Sequence, residues 1–472
     1  MQRTIDSTIR LKEKTYAIVL AHRYFTLRNH AVPTSMQSMS CGNLLLTIGS
    51  HIRVDGDVKR HEGSLLATLV VAYSVKIRQT FAPDWRKRNW ERGALLEENP
   101  QVRRTEKGWA GTLWLDGYPM RIMPDTKLLA APSGTQISYR SFGILGAPRM
   151  GAIMPSQPHS SAFSATLFQS NTWATYRGVG LVDGRVLLYR IRLWPNQVDI
   201  KENKFWTQIT PAIHAPDYRN HIPGSVKFPH TPADKVLKII PDQNVQDFVS
   251  QLGTSLIPEY QKALPETDTT KVHFRFIVVR PVGTTFNDEV SKIDGFPLLL
   301  RPSPDEAAVA LPNGLILMPE CTLARITNVA QLASILSGSI TSVLQRHSYI
   351  IHYAHPSVFN GDAKDFSELV LAILIDEQTL RIGIRQMYLA GYDIREAPFA
   401  WAVAQGKPVD NPIIDVKHPA EVPWYAAYAF NYIGQYYKDV NYRRLKRGKA
   451  EYQQFLQELY KADSSQMHPA SH

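Results

Sequence analysis

Cysteine is almost missing from this chain: Cys41 and Cys321 are the only two in 472 residues. They could make at most one bridge, which excludes a disulfide framework and a cysteine-rich zinc site. Long apolar runs are missing too. None reaches the roughly 18 residues that a membrane-spanning helix needs. There is no Gly-x-Ser-x-Gly elbow of the serine hydrolases, and no recognisable nucleic-acid-binding motif. What is present is ordinary globular composition, 44% apolar and 20% charged, which excludes disorder of the whole chain. The length suits two or three domains.

The formal net charge is +11. Residues 1–110 hold 18 Lys/Arg against 10 Asp/Glu, so they carry +8 of it. A second basic cluster, Arg443, Arg444, Lys446, Arg447 and Lys449, has no acid between its members. Basic patches attract nucleic acid or anionic lipid. With no nucleic-acid motif, the expectation is a solvated surface and no nucleic-acid partner, with membrane-surface association as the functional alternative. Ser64 to Val75 is a 12-residue apolar run behind Lys59, Arg60 and His61. Basic residues before such a run resemble the first two regions of a secretory signal. It lies deep in the chain, so either translation starts later or the run is a buried strand or helix. Residues 1–104 otherwise carry no assignable pattern.

Residues 105–240 read as a β-rich domain. Thr112–Leu115, Asp116-Gly117 and Met120–Met123 form a hairpin pattern, with Pro119 marking the second strand as an edge. Gly180–Val182, Asp183-Gly184 and Val186–Trp194 repeat it, with Tyr189, Ile191 and Leu193 predicted inward and Arg190 and Arg192 outward. Five prolines between 212 and 242 suggest a linker. Beyond it, residues 243–462 read as a mainly helical α+β domain. Gln246 to Tyr260 is a helical pattern, and Lys271 to Val279 a half-buried strand. A further helix opens at Asn328, a good N-cap with Gln331 at the capping-box position. Its apolar stripe runs from Val329 to His347.

Residues 307–347 order these features as an alanine-rich strand, Pro312-Asn313-Gly314, an apolar strand, and a helix containing Gln331-Leu332-Ala333-Ser334-Ile335-Leu336. Downstream come Asp376-Glu377 and Ala390-Gly391-Tyr392-Asp393, then His418-Pro419. This succession resembles the zinc metalloendopeptidases related to HtpX and the CAAX prenyl proteases, over about 215 residues. The resemblance implies a zincin-like fold. In that family the helix carries His-Glu-x-x-His, two zinc ligands one turn apart with the general base between them, and a later helix gives a glutamate ligand.

Here the ligand and base positions are Gly338, Ser339 and Ser342, and Asp376, or Glu377 with a one-residue shift, falls on the third ligand. Glycine offers no side chain and serine is a poor zinc ligand beside imidazole. The resemblance therefore implies a non-catalytic homologue with no cofactor, binding peptides or proteins in or beside the cell envelope. Two alternatives stand beside it. One is an active zinc peptidase whose ligands are drawn from His347, His352, His355, Asp376, Glu377 and His418. The other is an interaction module whose function lies in the β-rich region. Without zinc, Asp376 and Glu377 are either polar residues left in the old cleft or a plain surface pair. Ser339, Thr341 and Ser342 have no base placed near them, which argues against a serine nucleophile. The aromatic run from Trp424 to Tyr442 reads as a packed helix, or as a peptide or membrane-surface contact.

Overall fold

A computed structural model describes residues 7–11, 14–20, 25–28, 51–59, 64–73, 92–131, 168–180, 186–198, 200–229, 237–280, 307–354, 366–404, 424–437 and 440–467. The fold is α+β, with three mixed sheets and helices concentrated after residue 240. Among the described residues no helix is long and apolar enough to cross a membrane.

The first sheet holds β1 (Ser7–Leu11), β2 (Lys14–Leu20), β3 (Phe25–Arg28), β4 (His51–Lys59) and β5 (Ser64–Tyr73), in the order β1-β2-β5-β3 with β4 also on β5. The signal-like stretch is thus a strand, paired to β2, β3 and β4.

The second sheet holds β6 (Arg92–Leu95), β7 (Gln101–Thr105), β8 (Gly108–Leu115), β9 (Tyr118–Ile122), β10 (Lys127–Ala130), β11 (Thr172–Gly180) and β12 (Val186–Pro195). Their order is β6-β11-β12-β9-β8-β7, with β10 also on β12. Leu113, Leu115, Met120, Ile122, Tyr176, Leu188, Ile191 and Leu193 fill its core. Asp116 and Gly117 turn β8 into β9 with φ of 56° and 70°, the left-handed pair that a tight hairpin needs. The expected edge position of β9 is corrected, because β9 pairs with β8 on one side and β12 on the other. Pro119 is tolerated because β12 engages only Met120 and Arg121. The inward placement of Tyr189 is corrected as well. A bulge opposite Arg177 and Gly178 makes Tyr189 the extra residue on β12, and it is 40% exposed. The turn Asp183-Gly184 lies outside the described residues.

The third sheet is ordered β13-β14-β15-β16-β18-β17. Helix α1 (Ile200–Ile209) leads into β13 (Ala212–His214), β14 (Gly224–Lys227) and β15 (Leu237–Ile239). Helices α2 (Gln243–Leu256) and α3 (Glu259–Ala263) precede β16 (Arg275–Arg280), β17 (Val309–Ala310) and β18 (Leu315–Pro319). The proline-punctuated stretch is therefore no linker: it supplies three strands, and one sheet continues across residue 240. Pro216 and Pro223 sit between β13 and β14, Pro229 follows β14 and Pro241 follows β15, all outside the ladders, where no ladder N–H is needed.

Among the described residues seven α-helices follow: α4 (Glu320–Arg325), α5 (Val329–Leu344), α6 (His347–Ala354), α7 (Phe366–Leu389), α8 (Ala397–Ala404), α9 (Trp424–Tyr436) and α10 (Lys449–Met467). Asn328 caps α5 by accepting from the Gln331 N–H at 3.0 Å. The reciprocal bond reaches one residue further back than a capping box, from the Thr327 N–H to Gln331 Oε1 at 3.0 Å. The second Asn328 and Gln331 donors meet the buried Glu396 carboxylate, each at 2.9 Å. The predicted stripe does not run through to His347. The helix stops at Leu344, Arg346 takes φ 56°, and His347 begins α6. Apart from half-buried Ser339 and Ser342, every residue of α5 is buried.

Candidate functional site

Helices α5 and α7 pack side by side where small residues meet. A Cβ added at Gly383 would lie 3.1 Å from the Gly338 nitrogen and 3.2 Å from its Cα. One helical turn along each helix, the Ser342 and Thr379 hydroxyls are 3.5 Å apart. Ser339 turns its hydroxyl back to the Ile335 carbonyl of its own helix, at 3.1 Å. The three positions of the metallopeptidase-like pattern on α5 are thus a backbone contact and two hydroxyls bonded within the helix pair. On α7, Asp376 is half-buried. Burial, helped by the neighbouring Glu377 charge, pushes its carboxyl up to about 8. Glu377 lies 3.6 Å from Arg381 Nη1, one turn on.

His347 is buried beside α7. The Gln378 amide donates to Asp116 Oδ1 at 2.9 Å and to the Gly93 carbonyl at 3.0 Å. Its oxygen is left to accept from His347 Nε2 at 2.8 Å. His347 Nδ1 then faces the Thr379 hydroxyl at 3.1 Å. Burial lowers the imidazole to about 4 despite the Gln378 bond and the Asp116 charge, so the ring is neutral at pH 7. Both ring nitrogens are engaged, and neither points to Asp376 or Glu377. The side chain of His352 lies outside the described residues, as do His355 and His418. Among the described residues no three His, Cys, Asp or Glu side chains converge as a metal site would require.

These bonds lead to features that sequence reasoning passed over. The Asp116-Gly117 turn projects into the helices. Arg381 Nη2 meets Asp116 Oδ1 at 2.6 Å and Arg381 Nε meets the Asp116 carbonyl at 2.8 Å. Tyr176 donates to Asp116 Oδ2 at 2.7 Å. Tyr432 donates to the Gly117 carbonyl. The Arg381 guanidinium also lies 4.5 Å from the Tyr118 ring centre and 2.7 Å from the Tyr428 hydroxyl. The second sheet is tied to the same helices at two further places. Gln345 and Gln386 donate to Glu97 at 3.4 and 3.1 Å, while Arg385 pairs with Glu98 and covers the Trp114 ring at 3.6 Å. Arg346 reaches Asn196, the Gln197 carbonyl and the buried Glu202. The one available signal was polarity on an apolar helix: Gln378, Arg381 and Arg385 recur every three or four residues along α7, on a face that would otherwise be core.

Glu97 carries a testable consequence. Burial, and to a lesser extent the Glu98 charge, raises it from 4.5 to about 8, against the opposing bonds from Gln386 and Gln345 and the charge of Arg385. The folded state therefore prefers the neutral acid. Its contribution to stability is complete below about pH 4.5 and is lost as pH rises to about 8. Glu97→Gln, isosteric and always neutral, should match the wild type in thermal midpoint near pH 4.5 and exceed it by a growing margin up to about pH 8, with no further gain beyond. Equal midpoints from pH 4.5 to above pH 8 would show that folding does not raise the Glu97 carboxyl.

No family model matches this chain, and no curated protein matches it.

Proposed function

We propose that this protein is a non-catalytic homologue of the HtpX-type zinc metalloendopeptidases, with a zincin-like C-terminal domain that binds a peptide or protein instead of cleaving it. The observation that carries this reading is the α5–α7 contact. Where the family places two imidazoles and a general base, this chain has Gly338, Ser339 and Ser342, and both hydroxyls are bonded inside the helix pair. At the third position, a carboxyl raised to about 8 is mostly protonated at neutral pH, and a protonated carboxyl is a poor metal ligand. Serine and glycine cannot generate a nucleophilic water. The neighbouring polar side chains of α7 hold the second sheet in place, which fits a domain kept for its shape. Ser339 and Ser342 are the least buried residues of α5, so a ligand would approach the domain on that side. Binding of an extended segment there would place the protein's role in recognition or scaffolding, in or beside the cell envelope.

The test is metal content of the purified full chain, measured by mass spectrometry after dialysis without chelator, together with hydrolysis of an unfolded protein substrate. The expected result is zinc far below stoichiometry and no cleavage, in a protein that unfolds cooperatively. About one zinc per chain with chelator-sensitive cleavage would overturn the proposal. The ligands would then have to be sought among His347, His352, His355, Asp376, Glu377 and His418.

A further inference from the structure

The second sheet closes one of its edges and leaves another open. At β6 the helices take up the outward backbone groups. The Leu95 N–H donates to Gln345 Oε1 at 2.9 Å, and the Gly93 carbonyl accepts from Gln378 at 3.0 Å. At the far end β7 pairs with β8 alone, from Gln101 opposite Thr112 to Thr105 opposite Gly108. The residues of β7 make no hydrogen bond beyond this hairpin. The N–H and C=O groups on its other side are left for water or for another strand.

Free cations line this edge. Arg103 and Arg104 are exposed, as is Lys107 in the turn that follows, and none of the three side chains has a hydrogen-bond or ion-pair partner. Glu106 is the one acid among residues 101–107, so the segment carries three cations against one anion. As neighbours on a strand, Arg103 and Arg104 point to opposite faces and flank the edge from both sides. Val102 shares the face of Arg104 and packs half-buried against the core of the sheet. The C-terminal basic cluster differs in this respect. Lys446 pairs there with Glu451 at 2.7 Å and Arg447 with the buried Glu396 at 2.6 Å.

We propose that β7 takes up an extended acidic segment of another protein as an added strand, its backbone pairing with the open edge and two consecutive carboxylates meeting Arg103 and Arg104. Strand addition draws affinity from main-chain hydrogen bonds and specificity from the side chains beside them. Charge complementarity names the occupant. A second copy paired antiparallel about the centre of β7 would set Arg103 against Arg103, and like charges directly opposite one another are destabilising. Edge charges prevent self-pairing in this way, and the same charges admit a segment of opposite sign. In antiparallel pairing the partner residues opposite Arg104, Arg103 and Val102 follow in that order, so the partner reads acid, acid, apolar. Parallel pairing reverses the order. The site lies on the second sheet and is independent of whether the α5–α7 site binds metal or peptide.

The test is titration of the full chain into a short fluorescent peptide with a central glutamate–glutamate–valine run between threonines, and into the peptide with the run reversed. Anisotropy reads binding, and amide hydrogen exchange locates it. The expected result is saturable binding of one of the two, weakening as salt rises, with exchange slowed in residues 101–105. Arg103→Gln with Arg104→Gln should weaken it by about 2- to 25-fold, each exposed ion pair giving a factor of about 1.4 to 5. The same peptide N-methylated throughout the run keeps its charge but cannot donate to an edge, and should not bind. This second measurement leaves the protein unchanged. Neither peptide binding at millimolar concentration would overturn the proposal. So would binding that survives the folded double variant or the N-methylation, or exchange slowed on α5 with β7 unaffected. Binding of single-stranded RNA or anionic vesicles through Arg103 and Arg104, with both peptides left unbound, would overturn it as well.

Discussion

Replacing Arg381 by methionine should destabilise the protein by about 3–5 kcal/mol, the usual cost of removing one partner from a buried ion pair. Arg381 and Asp116 are each about 2% exposed, and their contact is 2.6 Å. Without the guanidinium, the Asp116 carboxylate loses its charge partner and still accepts from the Tyr176 hydroxyl and the Gln378 amide. It must then stay charged in a dry site or take up a proton. The loss should be non-additive with Asp116→Asn. The double variant removes both charges and should recover a large part of the stability lost by Arg381→Met alone. Denaturant melts of the two single variants and the double variant measure this coupling. Additive losses would show that the two side chains act separately, and that the hairpin is held by its backbone contacts.

The second large effect concerns the turn residue beside that pair. Gly117 has φ 70°, and a Cβ placed on it would lie 2.4 Å from the Arg381 Cβ and 2.9 Å from the Arg381 carbonyl carbon. Gly117→Ala therefore meets two penalties. The left-handed conformation costs an L-residue about 1–2 kcal/mol. Forcing the hairpin tip away from α7 adds overpacking of about 1–3 kcal/mol. Strain and overpacking together predict a loss of roughly 3 kcal/mol, to which any weakening of the Asp116–Arg381 contact would add. By contrast, Gly391→Ala has φ 83° but nothing within 4 Å of the added carbon, so only the conformational penalty applies. Comparing the two variants separates backbone strain from the steric clash against α7. Equal losses would mean that the turn tolerates displacement from the helix.

Both predictions concern the junction between the second sheet and the helices, and that junction is where sequence reading stopped short. Asp116-Gly117 was legible as a tight turn, because the dipeptide itself favours positive φ. Nothing in a local pattern says that the turn's carboxylate will be buried against an arginine 265 residues later. Helix α5 was legible through its cap and its apolar spacing. Its early end was not, since the left-handed Arg346 is held by Asn196, Gln197 and Glu202, which are distant in the chain.

From the sequence alone came the α+β class, the hairpin at Asp116-Gly117, and helix α5 with its Asn328 cap. These follow from short-range rules: side-chain period, turn conformation and the donor chemistry of single residues. The tertiary structure decided what those residues do. It made strands of the proline-rich stretch, turned Tyr189 outward through a bulge, joined His347 to Gln378 in place of an acid, and left β7 as an open edge of the second sheet. Each of these depends on which strand lies beside which, and on what is left to bond once water is excluded. Local periodicity carries neither kind of information.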